Sequence, residues 1–95
     1  MHRAAIIVKD AQQQYEGLRT SVGLLLAGMS VQMFVLHHEI EDMHDDFREN
    51  MTLMDQIGGK RYSNNSENAA KYGFTHLSMA RAADKIRQAD IIIPF

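Results

Sequence analysis

The sequence contains no cysteine and no tryptophan, and Pro94 is its one proline. Without cysteine the chain forms no disulfide, offers no thiolate to a metal and carries no persulfide. Long hydrophobic runs are also missing, because Gly23 and Gly28 interrupt the longest apolar stretch, which is too short to cross a bilayer. The apolar segment 4–8 is followed at once by Lys9, so we expect no signal peptide and a cytoplasmic location.

The chain has no excess of charge of one sign, since its formal net charge is −2. We therefore expect neither nucleic acid nor an anionic membrane surface as a partner. The 95 residues are 45% hydrophobic and 23% charged, which is typical of one globular domain. A single domain over residues 1–95 is the prediction.

Three short apolar runs indicate buried strands. They are Ala4–Val8, Val31–Leu36 and Ile91–Ile93, and they are rich in branched residues and lack polar alternation. Runs of this kind are typical of parallel strands with helices on both faces. We therefore expect these three runs to be neighbouring parallel strands that are covered on both sides.

Helical segments alternate with these runs and with two weaker strands at 60–63 and 74–77. The expected helix starts are, in chain order, Asp10, Asp45 or Asp46, Asn64 or Asn65, and Ser78. Such alternation with short connections predicts right-handed crossovers between parallel strands. The predicted fold class is α/β, with three α/β/α layers around a mostly parallel sheet of about five strands.

In open parallel sheets, ligands bind outside the carboxyl ends of the strands. The polar residues that follow the first three predicted strands are Lys9, Asp10, His37, His38, Asn64 and Asn65, and these are the predicted ligand-binding residues. Each also has a structural interpretation. Asp10 suits a helix cap, Lys9 a solvated charge at a strand end, and the two asparagines a cap and a turn.

The segment HHEIEDMHDD, residues 37–46, is rich in histidine and acidic side chains. Imidazole and carboxylate can ligate zinc, but adjacent histidines on an extended segment point in opposite directions. The pattern favours a polar loop that opens a helix with acidic residues, and we predict no metal site. Phosphate-binding, dinucleotide-binding and nucleophile-elbow motifs are missing from the sequence, so we predict no cofactor and no catalytic residue.

Three stretches together resemble the DsrE-like family, small α/β proteins of bacterial and archaeal sulfur metabolism that include sulfur-relay subunits. They are AAIIVKDAQQQYEGLRTSVGLLLAGMSVQMFVL, GGKRYSNNSENAAKYGF and ADIIIPF, and they cover most of the chain. The resemblance implies a DsrE-like α/β fold. It also implies an oligomer, since family members form dimers, trimers or hexamers, some of unlike subunits.

The sequence departs from the family at the residue that carries its chemistry. Active members have a cysteine at the end of the third strand, and counting back from Gly73 that place falls on Asn65, or on Asn64 with a slip of one residue. An amide is neither a nucleophile nor a sulfur carrier. We therefore expect a non-catalytic binding, regulatory or structural subunit of a homo-oligomer, or of an assembly with unlike DsrE-type subunits, linked to sulfur metabolism. The alternative is a small-molecule or metal-binding enzyme that uses the histidine-rich loop with Lys9 and Asp10.

Overall fold

The computed structural model describes residues 2–41 and 43–95. The strands are β1 (Arg3–Val8), β2 (Ser30–Val35), β3 (Lys60–Ser63), β4 (Thr75–His76) and β5 (Ile91–Pro94). The helices are α1 (Gln14–Leu26), α2 (Asp45–Gln56), α3 (Ser66–Tyr72) and α4 (Met79–Arg87), and a short 3-10 turn, Ala11–Gln13, leads into α1. Among the described residues, no helix has the length and apolar character to cross a membrane.

Within the described residues, the five strands form one all-parallel sheet in the order β4-β3-β2-β1-β5. The predicted α/β class with a parallel sheet is confirmed. The three apolar runs are neighbours, because β1 lies between β2 and β5, with Ile6 opposite Met33 on one side and Ile93 on the other. β4 is shorter than the predicted segment 74–77.

Strand order decides which face each helix covers. The chain steps from β1 to β4 in one direction across the sheet, and then returns over its whole width to β5. Right-handed crossovers therefore place α1, α2 and α3 on one face and α4 on the other. The packing agrees, since Leu18 and Met51 share a buried cluster with Ile6, whereas Ala82 of α4 packs with Phe34.

The α4 face is thinly covered. A crossover helix runs roughly along the strands and is about 10–12 Å wide, whereas the five strands span about 19 Å from edge to edge. Ile92 lies opposite Ala5 and so on the α4 face, and half of its surface, 50%, is exposed. Ile91, on the other face, is also exposed. The prediction that this last run is covered on both sides is therefore wrong for the chain by itself, because β5 is an edge strand and one short helix does not reach over it.

The predicted helix starts are confirmed. Asp10, Asn65 and Ser78 each accept a hydrogen bond from a backbone N–H in the turn that follows, at 2.9, 2.9 and 3.2 Å. α2 begins at Asp45, and Gly73, with φ of 73°, ends α3 in the left-handed conformation that glycine tolerates. These caps satisfy backbone groups that a helix end leaves unpaired.

α1 lies unusually close to β1. A Cβ atom added at Gly17 would lie 2.5 Å from Cγ2 of Val8, so only glycine fits without movement. The backbone of Phe95 is hydrogen-bonded to β1 and to the residue that follows it. Its N–H donates to Ile7 O at 2.7 Å, and its carbonyl accepts from Lys9 N at 3.0 Å. Because alternate residues of a strand face opposite neighbours, Pro94 then lies with its backbone toward the open edge, where its missing N–H costs no ladder hydrogen bond.

Candidate binding site

The carboxyl ends of β1, β2 and β3 lie side by side, so the loops that follow them are neighbours. The predicted residues fall on these loops in three pairs: Lys9 and Asp10, His37 and His38, and Asn64 and Asn65. The second and third pairs are joined by direct hydrogen bonds. Lys9 and Asp10 precede α1, and the first residue of that helix, Gln14, contacts His38.

Asn64 and Asn65 hold the backbone of His37. Oδ1 of Asn64 accepts from His37 N at 2.7 Å, and its Nδ2 lies 3.3 Å from His37 Nδ1. Nδ2 of Asn65 donates to His37 O at 3.3 Å, while its Oδ1 caps α3. Asn64 therefore uses both its polar atoms on His37, whereas Asn65 uses its donor on His37 and its acceptor on the first turn of α3.

Asn68 completes this arrangement and is a residue that sequence reasoning missed. It is fully buried in α3, where its Oδ1 accepts from Ile40 N at 2.9 Å and its Nδ2 donates to His38 O at 3.0 Å. The same Nδ2 also lies 3.1 Å from Ser63 Oγ. We call Asn64, Asn65 and Asn68 the asparagine bracket. Asparagine is unfavourable inside a helix unless its side chain has another partner. Its presence inside the predicted helix was therefore the sequence signal that could have identified this residue.

The bracket holds a strained turn. His37 has a φ of 79°, and His38 N donates to Leu36 O at 3.1 Å, which closes a three-residue γ-turn of the rare positive-φ form. Backbone strain of this kind persists only where the surroundings fix the conformation. Here the hydrogen bonds from Asn64 and Asn65 to both backbone groups of His37 supply that restraint.

His38 faces the first turn of α1. Its Nε2 lies 3.2 Å from Gln14 Oε1, within hydrogen-bonding distance. Nδ1 is buried and has no hydrogen-bond partner in the part of the chain that the structure describes. Burial lowers the pKa of His38, opposed by the Leu36 carbonyl and the carboxylate of Asp10. Burial of the ring therefore favours its neutral form.

Two adjoining hollows open beside His38. The larger, of about 440 Å³, is lined by Ala11, Gln12, Gln14, His38, Glu39 and Glu41. The smaller, of about 140 Å³, is lined by Gln14, Tyr15, His44, Asp46 and Phe47. Of the six predicted residues, His38 lines the larger hollow, and the other five line neither. The amides and carboxylates that line the hollows also come after β1 and β2. They lie further along the chain than the residues directly after each strand, which were the ones predicted.

Metal ligands do not converge in the described residues. Across 2–41 and 43–95, no group of three or more histidine, aspartate or glutamate side chains is placed to hold one ion. Asp42, part of the histidine-rich loop, lies outside the described residues. Glu39 instead pairs with Lys71 at 3.0 Å, and the hydrogen bond to its carboxylate raises the pKa of Lys71.

Comparison of the chain with family models, curated proteins and solved structures gives no match.

Proposed function

We propose that this protein is a non-catalytic DsrE-like subunit, with a binding or structural role in an oligomer. The observation that carries this proposal is the asparagine bracket. Asn64 and Asn65 occupy the place where the family resemblance puts a reactive cysteine, and their side chains are engaged in holding His37 and capping α3. The link to sulfur metabolism rests on the resemblance.

The chemistry of the bracket excludes sulfur transfer at this place. A persulfide relay needs a thiolate that attacks a donor sulfur, holds it covalently and releases it. An amide donates and accepts hydrogen bonds and has no nucleophilic lone pair of that kind. The loop therefore keeps the position of a site while its side chains perform a structural task.

Treatment with a persulfide donor, followed by intact-mass spectrometry, tests the proposal. We expect no covalent sulfur adduct on the wild-type chain. Asn65→Cys, or Asn64→Cys if the register is shifted by one residue, should gain an adduct that thiols remove. Glu49→Cys, at an exposed position, is the control, since it reports the reactivity of a surface thiol. A reversible adduct on the wild type contradicts the proposal. If Asn65→Cys and Asn64→Cys both react no faster than the control, the family resemblance no longer supports the proposal.

Assembly is the second part of the proposal. Ile91 and Ile92 leave apolar surface exposed on edge strand β5, and the α4 face beside Ile92 is thinly covered. The two side chains lie on opposite faces of this strand, so a subunit packed along the edge would remove apolar surface from water on both faces. We propose that a second copy, or an unlike DsrE-type subunit, covers this edge in a dimer or larger assembly. The cytoplasmic location and the lack of nucleic-acid binding stay predictions from the sequence.

A further inference from the structure

The outer edge of β5 presents backbone groups without a partner strand. Asp90 N donates to Arg3 O at 2.8 Å, so the backbone of Asp90 faces β1. Because successive residues of a strand direct their backbone groups to opposite sides, Ile92 also faces β1, while Ile91 and Ile93 face away from it. β5 is the last strand on that side of the described sheet, so the N–H and C=O groups of Ile91 and Ile93 form an open ladder.

Pro94 ends this open ladder. Its nitrogen carries no hydrogen, and Ile7, which lies opposite it in the register, accepts from Phe95 N at 2.7 Å instead. The alternation of the strand therefore shifts by one residue at Pro94, as it does in a β-bulge. Pairing along the outer edge is thus limited to Ile91–Ile93.

This short ladder is complementary to itself. In two antiparallel copies with a two-fold axis at Ile92, Ile91 of each copy lies opposite Ile93 of the other, and each such pair exchanges both N–H···O bonds. An axis at Ile93 would place Ile91 opposite Phe95. An axis at Ile91 would place Ile93 opposite Ala89. The N–H groups of Phe95 and Ala89 already donate within their own chain, so the axis at Ile92 alone pairs the edge completely.

The flank of α4 that borders this edge carries no charge. Lys85 Nζ lies 5.1 Å from the centre of the Tyr62 ring, so that side of α4 points toward β3. The opposite side, toward β5, presents Met79, Ala83 and Ile86, because residues three and four positions apart share a face of a helix. Met79 is exposed, and so adds to the apolar surface beside β5.

The flank of α1 on the other face is also uncharged. A Cβ atom added at Gly17 would lie 3.7 Å from the Phe95 ring, which shows that this side of α1 points toward β5. Thr20, Ser21 and Leu24 share that side by their spacing from Gly17. A two-fold axis brings identical surfaces together, so a charged surface would repel its own copy, whereas this uncharged one can accept a second copy.

We propose that two copies of this chain pair antiparallel through Ile91–Ile93, around a two-fold axis at Ile92, and form one continuous sheet across the dimer. The backbone ladder sets the register, and the isoleucine side chains on both faces of the sheet are removed from water. This inference rests on the assembly proposed above. It names an identical copy as the second subunit and specifies how the two copies meet.

A cysteine cross-link tests the register, because the wild-type chain has no cysteine of its own. Opposite residues whose backbone groups face away from each other have Cα atoms about 4.5 Å apart, within the range of a disulfide. Ile92→Cys should therefore form a disulfide-linked dimer under mild oxidation at least about tenfold faster than Ile91→Cys. Ile91 is the matched control, since it is exposed on the same strand, but its two copies are offset by about 7 Å along the strands.

Hydrogen exchange of the wild type measures the same pairing without a substitution. The amides of Ile91 and Ile93 should exchange at least about tenfold more slowly in the dimer than after dilution to the monomer. His76 is the control, because Leu77 N donates to Ser63 O at 3.0 Å and the amide of His76 therefore faces outward on the opposite edge strand. Its exchange should not depend on protein concentration.

The outcomes separate this pairing from the assembly itself. A monomeric mass in light scattering contradicts both. An oligomer in which Ile92→Cys links no faster than Ile91→Cys keeps the assembly and overturns the register. If Ile92→Cys disturbs the edge, the wild-type amides decide. An oligomer in which Ile91 and Ile93 exchange as fast as they do in the monomer overturns the pairing.

Discussion

Arg61 of β3 donates two parallel hydrogen bonds to the carboxylate of Asp55, from Nε to Oδ1 at 2.9 Å and from Nη2 to Oδ2 at 2.8 Å. Its Nη1 donates to the Tyr72 carbonyl at 2.9 Å, and its guanidinium lies 4.8 Å from the centre of the Phe74 ring. The side chain is only 9% exposed. Arg61 of β3 thus connects the end of α2 to the end of α3 by hydrogen bonds.

Replacing Arg61 with alanine should lower the free energy of unfolding by about 2–3 kcal/mol, because three hydrogen bonds and the ring contact are lost and the Tyr72 carbonyl is left unpaired. Urea unfolding of the wild type and the variant measures this difference in the free energy of unfolding. The control is Arg19→Ala, which breaks a solvated pair with Glu16 and should cost less than about 1 kcal/mol. Equal losses in the two variants would show that Arg61 is no more than a surface charge.

Asn68→Ala should cost about 2–4 kcal/mol, because it leaves Ile40 N–H and His38 O without partners in a buried place. Asn50→Ala is the control, since it removes an exposed hydrogen bond to Asp46 O and should change stability by about 0.5 kcal/mol or less. Thermal unfolding compares the two. A near-neutral Asn68→Ala would mean that the bracket does not hold the loop.

The two glycines of α1 should respond in opposite ways to alanine. Gly17→Ala drives a Cβ toward Val8 and should destabilise the fold by about 1–3 kcal/mol. Gly23 has no atom within 4 Å of the added Cβ, so Gly23→Ala should stabilise by about 0.5–1 kcal/mol through helix propensity. Chemical denaturation of both variants gives the sign directly. Stabilisation by Gly17→Ala would show that α1 can move away from β1.

The lowered pKa of His38 predicts a pH dependence of stability. Burial favours the neutral ring in the folded chain, so the unfolded chain binds the proton more tightly, near the ordinary value of 6.5. By linkage, this contribution to stability is complete above about pH 6.5 and is lost as the pH falls from there through the lower folded pKa. Unfolding of the wild type and of His38→Gln, measured across this range, should show a flatter curve for the variant.

His76→Gln, at an exposed histidine, is the control for that experiment and should keep the wild-type slope. If the His38→Gln variant follows the wild-type curve at every pH, burial of the ring does not influence folding.

Ile92→Ser should weaken the proposed oligomer, because it removes apolar surface at the edge where the second subunit is placed. Light scattering at micromolar concentration should give a dimer or larger mass for the wild type and a smaller mass for the variant. Leu26→Ser changes a residue that is 68% exposed at the end of α1, away from that edge, and should leave the mass unchanged. A monomeric wild type contradicts the proposed assembly.

Local sequence signals predicted most of the fold. Asp10, Asn65 and Ser78 begin helices because their short polar side chains reach the backbone of the next turn, and this needs no distant partner. The apolar runs predicted parallel strands because hydrophobic residues without alternation must be covered on two faces.

The exposure of Ile92 could not be predicted in this way. It depends on how many helices share a face, which follows from the order of the strands in the sheet. The two hollows beside Gln14 were also beyond local patterns. Gln14 and His38 meet across 24 positions of sequence, and the buried amide of Asn68 acts on residues that are 28 and 30 positions away.

Pro94, with its backbone toward the outer edge of β5, has a consequence for how copies of the chain can join. A sheet that grows by strand addition needs backbone donors and acceptors in regular alternation along its exposed edge. This edge lacks a donor at Pro94. Fibril growth by strand addition is interrupted there, while the isoleucine side chains beside it remain able to pack. This edge strand is therefore protected against the open-ended addition of further strands.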